Sequence, residues 1–135
     1  ISNNENEAND SNYNLIDIHS VTDSSSEPFS KITLEKDNIK AGSESNGGGP
    51  VDATFKAIEK IVKSKSKLQL YSVNNITDGT DSLGEVTVRL ERSGLIVNGM
   101  GADTDIVIAS AKAYLDAVNK LNNKSRIVHP QLDHV

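Results

Sequence analysis

The sequence predicts an α+β domain built as a tandem βββα repeat with internal pseudo-two-fold symmetry. Three observations predict it. Short stretches of alternating apolar and polar residues mark strands in two groups of three. Each group ends in a glycine-rich stretch that leads into a helical pattern, Gly47-Gly48-Gly49 in one case and Gly99-Met100-Gly101 in the other. The order recurs at an offset of about 52 residues, and two copies make one compact domain rather than a solenoid.

The elements follow in order. Residues Ile1 to Asn12 are almost wholly Asn, Glu, Asp and Ser. Such a segment cannot offset its ordering entropy by burial, and it reads as a disordered linker remnant. The chain opens on Ile1 rather than Met, which reads as a processed product or, the preferred reading, a piece cut from a longer protein. The first repeat spans 13–63. Its strands are expected over Tyr13 to Val21, Phe29 to Glu35 and, more weakly, Asn38 to Glu44, with a polar loop over Thr22 to Pro28. A helix then runs from Pro50 to about Lys63. Proline suits the first helical position because its missing N–H would have had no partner there. Val51, Phe55, Ile58 and Val62 recur on one helix face.

The second repeat spans 68–121. Strands are expected over Leu68 to Asn75, Glu85 to Glu91 and Leu95 to Asn98, with a loop at Asp78 to Asp81 and a turn at Ser93-Gly94. The stretch from Gly99 to Asp105 is expected to turn into a helix over about Thr104 to Leu121. Ala109, Ala113 and Ala117 form a small-residue stripe on it, along which another element can come close. Residues 122–135 read as a C-terminal tail.

Composition excludes several functions. Aromatics are only 4% and Trp is absent, so the core is modest and a partner copy would bury further surface. There is no Cys, which removes disulfides and thiolate chemistry and fits a reducing cytoplasm. The net charge of -5, with no basic run beyond the spaced lysines of Lys56 to Lys67, argues against nucleic-acid binding. No apolar run approaches the roughly 18 to 20 residues of a membrane span, and no signal peptide is visible. His19, His129 and His134 show no metal-ligand spacing and read as structural or surface residues.

The glycine turns carry the functional signal. Glycine lets backbone approach a ligand, and a helix start presents free N–H groups to a carboxylate or phosphate. The plain alternative is a sharp strand-to-helix turn. No Lys-Ser or Lys-Thr follows either turn, and the third glycine of the dinucleotide fingerprint is missing. Asp52, Asp103 and Asp105 near the helix starts read either as caps that complement the dipole or as receptors for a ligand ammonium. Tyr71, on the strand after the first helix, is within reach of the first turn.

These residues resemble the C-terminal regulatory domain of 2-isopropylmalate synthases. Gly47-Gly48-Gly49-Pro50-Val51-Asp52-Ala53-Thr54-Phe55 is similar to its first-helix signature. Tyr71 with Thr77-Asp78-Gly79-Thr80-Asp81-Ser82 and Gly84-Glu85-Val86 resembles its central motif. Gly99-x-Gly101-Ala102-Asp103-Thr104-Asp105-Ile106 through Tyr114 resembles its second-helix signature. The resemblance covers roughly Tyr13 to Leu121.

The resemblance implies a regulatory domain that binds leucine as a feedback inhibitor and pairs as a homodimer, with sites near the dimer interface. The parent enzyme would condense acetyl-CoA with 2-oxoisovalerate in an N-terminal catalytic barrel that holds a divalent metal. This fragment would have no cofactor and no activity of its own. Carried over by motif, the leucine pocket comprises Gly47, Gly49, Val51, Tyr71, Asn75, Ser82, Asp103, Thr104, Asp105, Ile106 and Ala109. Helix-start N–H groups would take the carboxylate, and carbonyls or an Asp the ammonium. Val51, Tyr71, Ile106 and Ala109 would form the apolar hollow. The chain departs from the family pattern at Gly48, where Asn is usual, and at Asn75 and Ser82, where Ala is common. Citramalate and some homocitrate synthases carry a similar domain, so an isoleucine-binding domain is one alternative. The choice between leucine and isoleucine rests on one branched methyl, worth ~1 to 3 kcal/mol. A dimerisation module without ligand is the other alternative, and a small enzyme using Asp103 or Asp105 a third.

Overall fold

The structure is a computed structural model that describes residues 11–75 and 82–133. The expected linker over 1–10, the loop at Asp78 to Asp81, and the side chains of His129 and His134 lie outside the described residues.

The element order is the expected βββα twice. The first half has β1 (Asn14–Asp23), β2 (Ser26–Lys36), β3 (Ile39–Asn46) and α1 (Pro50–Val62). The second has β4 (Lys67–Asn75), β5 (Gly84–Arg92), β6 (Leu95–Asp103) and α2 (Ile106–Asp133). Each half forms an antiparallel meander, β1-β2-β3 and β4-β5-β6. The β2–β3 and β5–β6 hairpins close on two-residue turns, Asp37-Asn38 and Ser93-Gly94, with positive φ at both central residues. That backbone matches the twist of the flanking strands.

The repeat is legible in the register. Leu15 pairs with Leu34 and Leu68 with Leu90, and a one-residue bulge follows each. The first strands therefore match at an offset of 53 residues. The second hairpins match at 56, as the pairs Lys36–Ile39 and Arg92–Leu95 show. The additional residues lie between β4 and β5. One consequence corrects the sequence expectation. Gly47 and Gly49 correspond to Asp103 and Asp105, whereas Gly99 and Gly101 correspond to Ser43 and Ser45. The two glycine motifs are not copies of one another.

Gly99 and Gly101 are also not a turn. They lie inside β6, which runs on to Asp103, five residues past its expected end at Asn98. A Cβ on Gly101 would sit 2.5 Å from the carbonyl oxygen of Ala109, and one on Gly99 would collide with the carbonyl of Ala113 and the amide of Ala117. The alanine stripe of α2 thus lies directly on the glycines of β6. In the first repeat the same place holds Ser43, whose hydroxyl donates to the carbonyl of Ala57. There the helix stands far enough off the strand to admit a side chain.

Two further boundaries differ. The expected loop over Thr22 to Pro28 shrinks to a two-residue turn. Asp23 Oδ1 accepts from the backbone N–H of Ser25 at 2.8 Å and of Ser26 at 2.9 Å, so polar residues continue the ladder. The second helix starts at Ile106 rather than Thr104 and continues beyond Leu121 to Asp133. Asn12, grouped with the linker, bonds through its side chain to Asn123 on this helix.

One core serves both halves. It joins Ile32 and Leu34 of β2, Val86, Val88 and Leu90 of β5, Phe55, Ile58 and Val62 of α1, and Tyr114, Leu115, Val118 and Leu121 of α2. The expected face of α1 is the one that is buried, with Val51 partly so. At the junction the rings of Phe55 and Tyr114 lie 4.5 Å apart between centroids. The Tyr114 hydroxyl donates to Glu59 Oε1, and the Ser64 hydroxyl donates to the same oxygen. Tyr13 and Asn119 exchange two hydrogen bonds, 2.8 and 3.0 Å, which fasten β1 along α2. Among the described residues no helix is long and apolar enough to cross a membrane.

Candidate functional site

The two helix starts occupy equivalent places and are finished differently. Helix α1 begins at Pro50, which brings no N–H, after Gly49 in extended conformation. Among the described residues no side chain caps it. Gly47 is buried, and its N–H donates to the Pro28 carbonyl at 3.1 Å. A Cβ there would lie 2.5 Å from the Ala53 amide, so packing alone requires glycine. Gly49 is different. Its φ of -160 suits any residue, and a Cβ would meet nothing within 4 Å. Neither backbone strain nor packing among the described residues calls for glycine at that position.

Asp52, in the first turn of α1, folds back to accept from the Gly48 N–H at 2.8 Å and pairs with Lys56 at 3.0 Å. The Gly48 N–H first, and Lys56 second, hold its carboxyl below the usual carboxylate range. The charge is therefore fixed beside the helix start and partly balanced.

At α2 the corresponding place is taken by Asp105. Its Oδ1 accepts from the N–H groups of Val107 at 2.8 Å and Ile108 at 3.2 Å, a side-chain cap. Asp103 accepts from the Asp105 N–H at 2.9 Å and pairs with Lys112 at 3.2 Å. Those two contacts, the amide foremost, lower its pKa. Asp105 is thus the N-cap of α2, one of the two roles the sequence left open, and Asp103 closes a turn onto the Asp105 N–H. An open cleft of about 370 Å³ lies between this helix start and β1, lined by Ile18, His19, Ser20, Asp105, Val107 and Ile108.

The remaining predicted residues divide between the end of the second sheet, the α1 start and the core. Asn75, Gly84 and Asp103 are successive partners across β4, β5 and β6. A Cβ on Gly84 would lie 2.5 Å from Ile106 Cδ1, so Ile106 joins that group at the end of the second sheet. Ser82, just before β5, and Thr104 are exposed there. Ala109 is fully buried against Gly101. Gly47, Gly49 and Val51 stand together at the α1 start. Tyr71 reaches both helices: its ring meets Phe55 of α1 edge-on, with centroids 5.9 Å apart, and its hydroxyl shares a 2.7 Å hydrogen bond with Ser110 of α2.

Sequence reasoning missed Ser110, Phe55 and Ile18 as neighbours of the site. Ile18 shares the helix-facing side with Leu15 because the bulge after Leu15 shifts the alternation; a straight period-two reading from Leu15 places it on the opposite face. Ser110 carries no local signal and is identified only by the Tyr71 contact. Among the described residues no group of three or more His, Cys, Asp or Glu is placed to hold a metal ion.

Fold and site together define a duplicated βββα module with one capped and one open helix start. The chain belongs to the family of LeuA allosteric (dimerisation) domains, whose model matches residues 1–122. It is 56% identical over 120 residues to 2-isopropylmalate synthase of Nitrosomonas eutropha, covering 89% of this chain and 24% of that protein. It is 57% identical over 120 residues to 2-isopropylmalate synthase of Nitrosospira multiformis, with the same coverage of 89% and 24%. Identity to the Methylococcus capsulatus enzyme of that name is 52% over 129 residues, covering 96% of this chain and 25% of the relative. The chain spans about a quarter of the length of these curated relatives.

Proposed function

We propose that this chain is the allosteric amino-acid-binding domain of a 2-isopropylmalate synthase and that its ligand is leucine, the feedback inhibitor. The observation that carries the reading is the open start of α1. Among the described residues no side chain caps the N–H groups there, and none lies within 4 Å of where a Cβ on Gly49 would stand. A carboxylate fits such a place because the helix start carries partial positive charge. The equivalent place on α2 is filled by the chain's own carboxylate, Asp105. Val51, Tyr71 and Ile106 supply apolar surface for the isobutyl group. Asp103 and Asp105, with Asn75, supply oxygen for the ammonium.

The catalytic work, condensing acetyl-CoA with 2-oxoisovalerate at a divalent metal, belongs to the remainder of the parent chain. Inhibition then requires leucine to bind two states of the whole enzyme unequally. A second copy of the chain is the expected partner. The helix-facing side of β4 supports this: Leu68 and Val73 sit opposite the fully buried Leu90 and Val86, yet remain 45% and 42% exposed.

Calorimetric titration of the chain with leucine, isoleucine, valine and lysine tests the reading. Saturable binding of leucine, tightest of the four and weakened in Tyr71→Phe, supports it. Preference for isoleucine would move the assignment to the citramalate-type domain. No heat with any of the four from a dimeric chain would leave a dimerisation module.

A further inference from the structure

Tyr71 stands on β4 but is held by both helices. Its ring packs edge-on against Phe55 at 5.9 Å between centroids, and Phe55 shares its helix face with Val51, one turn nearer the open start of α1. Its hydroxyl is fixed at 2.7 Å by Ser110, a fully buried residue near the start of α2. On the far side Phe55 stacks on Tyr114, whose hydroxyl is bound by Glu59 of α1. Rotation of the Tyr71 ring away from this position would break the Ser110 bond and leave a buried hydroxyl without its partner, which is unfavourable. A strand residue with only its backbone ladder would have no such constraint on its side chain.

We infer that Ser110 is a positioning residue for the amino-acid site: through its hydrogen bond it fixes the Tyr71 ring as the wall that meets the ligand side chain. The inference rests on the proposed leucine site and deepens it. Ser110 touches no ligand. It acts through Tyr71, and it makes the geometry of a wall beside α1 depend on α2. Any shift of α2 relative to β4 is then felt at the α1 end of the site.

The test is a double-mutant cycle in the 135-residue chain, read by calorimetric titration with leucine and isoleucine and by thermal melts. Ser110→Ala and Tyr71→Phe each remove one hydroxyl and leave the packing in place. Each single change is expected to weaken leucine binding roughly two- to tenfold and to narrow the leucine-to-isoleucine ratio. Ser110→Ala made in the Tyr71→Phe chain should cause no further weakening. A purely structural role would lower the melting temperature and leave the ratio between the two amino acids unchanged. Wild-type affinity and ratio in Ser110→Ala, or fully additive losses in the double variant, would overturn the inference while leaving the leucine site intact. Absence of leucine binding by the unaltered chain would remove the site itself, and the inference with it.

Discussion

Glu59 on α1 accepts a 2.9 Å hydrogen bond from the hydroxyl of Tyr114 on α2, and the pair joins the two repeats beside the stacked rings of Phe55 and Tyr114. The residues are 55 positions apart, one from each repeat. Replacing Tyr114 by Phe keeps the ring packing and removes the hydroxyl with its bond to Glu59 and its interactions with the Ser64 and Ser66 hydroxyls. Glu59 retains the Ser64 hydroxyl, so no orphaned carboxylate results. The expected loss is about 1 kcal/mol of stability, measured by urea unfolding with an unchanged m-value.

The same tyrosine gives the chain an alkaline limit. Burial first, and the charge of Glu59 second, push the Tyr114 phenol well above its ordinary value of 10.0. Above about pH 10 the unfolded chain releases this proton while the folded chain keeps it, so stability falls as pH rises. Below that pH the group contributes no slope. Denaturation midpoints between pH 9 and 11, values chosen on the order of the free tyrosine pKa, should fall more steeply for the unaltered chain than for Tyr114→Phe.

The contact of α2 on β6 predicts two intolerant glycines. A methyl at Gly101 or Gly99 would press on backbone atoms of α2, which cannot move aside as a flexible side chain would. Gly101→Ala and Gly99→Ala should each destabilise by about 3 kcal/mol or more, at the upper end of ordinary overpacking. Thermal melts check this. A loss below about 0.5 kcal/mol, the range of innocuous surface changes, would mean that α2 does not lie on the strand as described.

Asp105 separates capping from ligand recognition. Asp105→Ala removes the cap of α2 and should cost about 1 kcal/mol. Asp105→Asn keeps an oxygen for the Val107 and Ile108 N–H groups, and should hold most of that stability. If the carboxylate also meets a ligand ammonium, Asn will restore the melting temperature but not leucine affinity. Recovery of both in the Asn variant would confine Asp105 to capping.

Much of this architecture was legible because local pattern decides it. Alternation at Val86, Val88 and Leu90 and the helical spacing of Phe55, Ile58 and Val62 mark the faces that are buried. The Pro50 start of α1 was equally plain. Glycine is ambiguous in a way these residues are not, since it signals either a turn or a close approach. At Gly99 and Gly101 the approach of α2 decides, and that is a tertiary fact. The polar start of β2 was hidden for another reason. Its ladder is sustained by a turn that Asp23 completes, not by burial. Motif singled out Gly47, Gly49, Tyr71 and Asp105 as candidates, but the contacts of Tyr71 with Phe55 and Ser110, and the cleft that Asp105 shares with Ile18, join separate elements and are set by the tertiary fold.

Gly49 offers the most direct test that the open start of α1 receives an amino acid. Its backbone suits any residue, and a Cβ there would meet nothing within 4 Å among the described residues. Gly49→Val should therefore fold with a stability loss of no more than about 1 kcal/mol, the scale of an N-cap change. Calorimetric titration with leucine is the decisive measurement. Saturable binding by the unaltered chain, abolished in a fully folded Gly49→Val, is the predicted result. Equal leucine binding by both chains would contradict the placement of the ligand at α1.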